Sequence, residues 1–439
     1  MKSFPVAALV ALCLAVAAPA AAKLSPAETR MLATVKAEDA RTVAMLEKWV
    51  NQNSGTLNLP GVEAVGKMVR AELEPLGFTV ERIDISAAGR AGHIVARHKG
   101  SGRGKRLLLI GHLDTVFEAD SPFQKWTRRG NDGEGPGAGD DKGGMAVMVA
   151  ALRAMQATGT LKNADITVFL TGDEEDAGPL AITRKDLIAA GKWADVALDF
   201  EGLVQLGSPE GLRDMGSTAR RSSDEWTLTV TARSGHSSGI FTPGSGSGAI
   251  YEAARIIDSF RREVREDKLT FNVGLIGGGA TAELDPGKVR INATGKTNII
   301  AGTAIARGDL RAISPEQIAR AKARMQAIVA LTLPGGKSEI VFLPDGYPPM
   351  APTPGNKALL DRLNMVNRDM GLAEMGELDP VKRGAGDISF VAVDVDSLAG
   401  LGPASRGDHA PGETVDIASI ARQAGRAAIL MSRLATEKR

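Results

Sequence analysis

Five short stretches of the 439-residue chain set histidines and carboxylates beside apolar runs. The first is GHLDTV, where His112 follows the run LLLIG and Asp114 stands two residues on. In extended chain those two side chains share a side, so Asp114 can accept from the second ring nitrogen of His112 and fix its tautomer, as partners of metal-bound histidines do. The second is GPGAGDDKGG (residues 135–144), with Asp140 and Asp141 adjacent ahead of a helical run. Its glycines imitate a phosphate loop, but the GK[ST] ending is missing and two aspartates repel a phosphate. A divalent cation suits them better. The third, TGDEEDAG (residues 171–178), puts Asp173, Glu174 and Glu175 together at the end of DITVFL. Three such acids cannot all stay ionised unless something positive shares the site. One can then ligate metal while another takes a proton from water. The fourth is Asp199-Phe200-Glu201-Gly202, in which alternation puts Asp199 and Glu201 on one side. The fifth is His409 in GDHAPGE. Taken singly, each could be a solvated turn. Together they form a nitrogen and oxygen donor set suited to zinc, one ion or a pair, with an activated water.

The segments that must hold these residues alternate in character. Residues 26–51, 61–74 and 142–158 read as helices, and residues 92–97, 105–111, 165–171 and 194–200 as strands. Strands apolar throughout and separated by helices predict a sheet covered on both faces, mixed but largely parallel. Near residue 216 the pattern changes. GSTARRSSDE is polar and small, which reads as a linker, and WTLTVTAR (residues 226–233) alternates like a strand with one wet face. A helix at 247–264, strands at 269–276, 289–293 and 304–312, a helix at 315–331 and a strand at 339–343 complete a ferredoxin-like α+β unit. The Pro-rich PDGYPPMAPTPG (residues 344–355) reads as the return linker. The expected organisation is an α/β domain, residues 23–216 and 346–439, interrupted by a smaller domain, residues 217–345.

Composition bounds the function. Lys+Arg number 53 and Asp+Glu 52, so no charge excess draws the chain to nucleic acid or to a membrane surface. Residues 1–22 carry Lys2, an apolar run and the small-residue site Ala20-Ala21-Ala22, the pattern of a secretory signal peptide. The run of about 13 apolar residues is too short to span a bilayer. Cleavage after Ala22 would remove Cys13, the single cysteine, and leave a thiol-free chain suited to export, to the periplasm ahead of the medium.

In order and spacing, GHLDTV, GAGDDKGG, TGDEE, a glutamate near residue 200 and a late HAPGE resemble the two-metal zinc exopeptidases. That family includes bacterial glutamate carboxypeptidase, acetylornithine deacetylase, succinyl-diaminopimelate desuccinylase, aminoacylases and several di- and tripeptidases. The resemblance spans essentially the whole chain after residue 22. It implies a zinc-exopeptidase catalytic domain interrupted by a ferredoxin-like satellite domain through which two copies dimerise. It further implies two zinc ions per subunit, though cobalt or manganese also accept such ligands. His112 would bind one ion and His409 the other, with Asp140 bridging; Asp141 is its neighbour in the motif and only alignment separates them. Glu175 would complete the His409 site and Glu201 the His112 site, with Asp199 a competitor for the latter. Glu174 would be the base that deprotonates a metal-bridging water, and Asp114 would orient His112.

On the satellite domain, His236 in SGHSS resembles a histidine that reaches the partner subunit's active site and polarises the scissile carbonyl. Asn298 and Arg311 resemble substrate contacts, although Ala301 stands where a proline is usual. Gly386, in GAGDIS, resembles a loop glycine whose backbone approaches substrate. His93 and His98 match nothing and are expected to be structural. The implied substrate is a small peptide or an N-acyl amino acid, cleaved at an amide next to a free carboxylate. Two alternatives stay open: a deacylase of the same family, and a catalytically silent periplasmic binding protein.

Overall fold

The computed structural model describes residues 24–101, 103–208 and 211–439. The expected signal peptide therefore lies outside the described residues. A six-stranded sheet organises the larger domain, in the order Thr79–Ile83, His93–His98, Asp165–Thr171, Arg106–His112, Val196–Asp199, Ser397–Leu398. The first two pairings are antiparallel and the last three parallel. The run LLLIG is apolar throughout because both faces are covered. Leu107 and Leu109 join a core with helices Pro26–Ala37, Leu59–Leu73, Lys142–Ala157 and Ile417–Leu434, whereas Leu108 and Ile110 face a second core with Leu187, Ile388 and Val391.

Registry of the parallel pairs sets the site. His112 lies beside Thr171, and Ile110 beside Asp199, so three strands end together and deliver GHLDTV, TGDEE and DFEG to one edge. Helix Lys142–Ala157 starts at the same edge, directly after Asp140 and Asp141.

A separate core is built from residues between Trp226 and Phe342. Strands Gly336–Phe342, Asp224–Ala232, Thr303–Arg311 and Leu275–Gly279 pair antiparallel in that order, covered by helices Ala249–Glu263 and Pro315–Ala330. The strand order is that of the ferredoxin-like unit.

Three local readings change. Residues 26–51 form two helices, Pro26–Ala37 and Asp39–Val50, broken at Glu38. A hairpin of strands Val204–Ser208 and Gly211–Gly216 precedes the domain change. The segment read as a polar linker is buried from Ser217 to Ser222. It pairs with the returning chain, Arg220 with Met350 and Ser223 with Tyr347, so these backbone groups are bonded inside the protein and not to water. Among the described residues no helix is long and apolar enough to cross a membrane.

Candidate metal centre

Asp140 stands between two histidines. His112 Nε2 lies 3.0 Å from Asp140 Oδ1, and His409 Nε2 lies 3.2 Å from Asp140 Oδ2. His409 Nε2 is also 3.2 Å from Glu175 Oε2. Ligand atoms of His112, Asp140 and Glu175 all fall within 4.8 Å of one another. Asp141 turns elsewhere: its Oδ2 accepts the backbone N–H of His112 at 3.2 Å. His409 takes φ +65°, a left-handed conformation that costs a residue with a Cβ of the order of 1–3 kcal/mol and that accumulates at functional sites.

Asp114 does more than the spacing suggests. Its backbone oxygen lies 3.1 Å from His112 Nδ1, closer than its carboxylate Oδ1 at 3.5 Å. The carboxylate is engaged with the Thr56 hydroxyl at 2.7 Å and the backbone N–H groups of Glu174 and Glu175, each at 3.0 Å. One buried acid thus sets both the imidazole and the loop carrying the next two acids.

The electrostatics call for a cation. Burial opposes a proton on His112, yet its bonds to Asp114 and Asp140 outweigh that and push its pKa well above the usual imidazole value. Bonds to Asp140 and Glu175 push His409 up to about 11. Burial pushes Glu175 up to about 7 and Glu174 well above the carboxylate range, the latter helped by Glu201 and Asp387. Glu175 Oε1 is buried with no partner. Divalent metal fits this donor set: it would satisfy the orphan oxygen, relieve the crowded carboxylates and replace imidazole protons.

Glu201 is engaged by two arginines. Its Oε2 accepts from Arg220 Nη1 at 2.5 Å and Arg383 Nη2 at 3.1 Å. Asp199 Oδ2 accepts from the same Arg220 nitrogen at 3.1 Å, so both acids share a side, as strand alternation requires. Gly386 packs where a Cβ would collide with Glu201 Oε1 and Arg220 Nη1, which is the reason for a glycine there.

His236, Asn298 and Arg311 belong to the unit built between Trp226 and Phe342. His236 and Asn298 adjoin on a short ribbon, Gly235–His236 pairing Ile299–Ile300, and both are exposed. The His236 ring contacts Ser238 at 2.8 Å. Arg311 bonds Asp309 at 2.9 Å, and its Nη1 comes 4.0 Å from where a Cβ on Gly384 would stand.

Several supports escaped the sequence reading. Buried Glu413, the end of HAPGE, accepts the backbone N–H groups of Gly137, Gly139 and Asp140 at 3.1, 2.7 and 2.9 Å. Buried Arg184 spends all five N–H donors, on Asp387, Asp173 (carboxylate and backbone oxygen), Thr183 and the Tyr347 hydroxyl. Tyr347 in turn donates to the backbone oxygen of Glu174 at 2.9 Å. Only Glu413 had a local signal, its place in the histidine motif. His93 is structural: its Nδ1 accepts from Gly172 N–H and its Nε2 donates to Thr183 O, and burial with Arg184 nearby holds its pKa down to about 4. His98 contacts the Ala164 oxygen at 2.9 Å.

Comparison with known proteins decides the family: residues 108–432 match the family described as peptidase family M20/M25/M40. The chain belongs to that family. Carboxypeptidase G2 of Pseudomonas sp. (strain RS-16) is 28% identical to this M20 chain over 415 residues, covering 91% of each. A succinyl-diaminopimelate desuccinylase of Rhodospirillum rubrum is 34% identical over 190 residues, 38% of this chain and 45% of that one. The fold matches a tripeptidase of Staphylococcus aureus with TM-score 0.68 at 18% identity, over 91% of this chain and 99% of that one. It also matches a dinuclear metal-binding M20 peptidase of Bacillus subtilis with TM-score 0.61 at 15% identity, over 91% and 98%. This M20 chain is a metal-dependent hydrolase of mixed α/β fold.

Proposed function

We propose that the protein is an exported, zinc-dependent exopeptidase that removes an amino acid bearing a free carboxylate, in the manner of a glutamate carboxypeptidase. The observation that carries this reading is the Asp140 carboxylate, one oxygen toward each histidine, with the base-bearing Glu174 loop held beside it. The match to carboxypeptidase G2 over 91% of the chain supports a carboxypeptidase over a deacylase, since the desuccinylases match over 38% to 56% of it.

In this reading His112, Asp140 and Glu201 would hold one cation, and His409, Asp140 and Glu175 the other. Two zinc ions there would acidify a water shared between them and polarise the scissile carbonyl. Glu174, whose pKa burial raises above the carboxylate range, accepts the water proton and passes it to the leaving nitrogen. Asp114 and Tyr347 keep its backbone in place. Arg311 and Asn298 hold the free carboxylate, and the Gly386 backbone lines the approach. His236 serves the partner subunit's site in a homodimer formed through the satellite domain, where Phe241 and Tyr251, both exposed, meet edge to face.

The test is amino-acid release by the chain from Lys23 onward against dipeptides, peptidyl-glutamates and N-acyl amino acids, with chelator and with zinc restored. Zinc-restored release of C-terminal amino acids from peptides supports the proposal. Release from acyl amino acids alone would make it a deacylase, and no release despite bound zinc would refute both. Dimer action is tested by mixing His236→Ala subunits with Glu174→Gln subunits: verified mixed dimers regain activity, and none would return if His236 acted within its own chain.

A further inference from the structure

The two halves of the metal centre are not equivalent, and the difference lies in what opposes each glutamate. Glu175 Oε2 faces His409, and its Oε1 is buried without a partner. Glu201, by contrast, is already engaged: two guanidinium groups converge on its Oε2, and it stands outside the group formed by His112, Asp140 and Glu175.

The two arginines are held differently. Arg220 is buried and bound on several sides, through Nε to Gly384 O at 2.9 Å, through Nη2 to Ala385 O, and through Nη1 to Asp199 and Glu201. Its backbone exchanges hydrogen bonds with Met350 on the returning chain, at 2.9 and 3.0 Å. Arg220 therefore belongs to the frame. Arg383 has one side-chain bond, to Glu201, and its Nε is buried with no partner. Among the described residues Glu201 is the hydrogen-bond partner of its side chain, with the charges of Asp199 and Asp408 nearby.

We propose that Arg220 and Arg383 are positioning residues that compete with the cation for Glu201, so that the His409 and Glu175 half fills first and tightly while the His112 and Glu201 half fills second and more weakly, with Arg383 setting the difference. This rests on the two-cation reading above. The physical reason is that a carboxylate oxygen bridged by two guanidinium groups must give up charge-assisted hydrogen bonds before a cation can use it. Glu175 meets no guanidinium: its Oε2 faces His409, a ligand of the same half, and its Oε1 has no partner. The centre would then change from one-ion to two-ion occupancy over an attainable range of metal concentration.

The experiment is zinc titration of the chelator-stripped full-length mature chain by calorimetry, alongside Arg383→Gln, Arg383→Lys, Glu201→Gln and Glu175→Gln. Wild type is expected to bind two ions with unequal constants. Arg383→Gln tightens the weaker site about tenfold, the scale of one hydrogen bond to a charged group, and leaves the tighter site unchanged. Arg383→Lys, which keeps the charge and loses the planar fork, shifts it less in the same direction. It carries the comparison should the glutamine variant fail to fold, as melting curves would show. Glu201→Gln removes the weaker site and Glu175→Gln the tighter one. An unchanged or weakened second site in the Arg383 variants would overturn the proposal while leaving the two-ion reading intact. A wild type that binds no zinc, or a Glu201→Gln variant that keeps both sites, would overturn the metal reading itself.

Discussion

Glu413 offers the sharpest test of how the metal loop is built. Its carboxylate is buried and accepts three backbone N–H groups: Oε1 from Gly139 and Asp140, Oε2 from Gly137. Replacement by Ala strands three buried donors. At about 1–3 kcal/mol for each unsatisfied group, less what water entering the vacated space restores, the loss should be about 3–5 kcal/mol. Replacement by Gln is a finer probe. The amide oxygen can keep Gly139 and Asp140, but the amide NH2 must then face the Gly137 N–H, donor against donor. One bond is lost, for about 1–2 kcal/mol. Urea unfolding followed by the fluorescence of Trp49, buried in the larger core, reads both losses as shifts in midpoint at constant slope. The reasoning fails if Glu413→Gln costs as much as Glu413→Ala, or if neither moves the midpoint.

Three further outcomes follow from the site. Glu174→Gln should retain its zinc content and lose at least ~10²-fold in kcat, the scale of a general base, and unchanged turnover would remove Glu174 from that role. Because His112 lies well above its usual pKa and His409 at about 11, both imidazoles carry protons at neutral pH in the metal-free protein. Zinc must displace them, so affinity rises with pH, and calorimetry in buffers of different ionisation heat should show proton release on binding; a pH-independent affinity would contradict the assignment. Burial holds His93 at about 4 against the usual 6.5, so as pH falls the unfolded chain takes this proton first. Stability is complete above pH 6.5 and declines between 6.5 and about 4, by up to about 3 kcal/mol, a slope that His93→Gln should flatten in urea midpoints measured across that window.

The residues gathered around Asp140 were legible as candidates because their chemistry is local. Each candidate acid or histidine sits within a few residues of a strand end, and an apolar run closed by glycine and carboxylates reads the same whatever surrounds it. The two-sided burial of LLLIG likewise follows from its own composition. The linker was misread for the opposite reason. Its backbone is paired by Ala399, Met350, Ala312 and Tyr347, partners distant in sequence that no local pattern announces.

What the sequence by itself determined is the list of donors and the order in which strand ends present them. Only the tertiary structure decided how those donors are supported: that Asp114 spends its carboxylate on the 174–175 backbone, that Glu413 caps the 137–140 loop from 273 residues or more away, and that Arg220 and Arg383 claim Glu201. The physical reason is that a metal site demands particular ligand atoms, which residue types declare. A hydrogen-bond partner needs only to arrive at about 3 Å, and the packing of distant segments settles which one does.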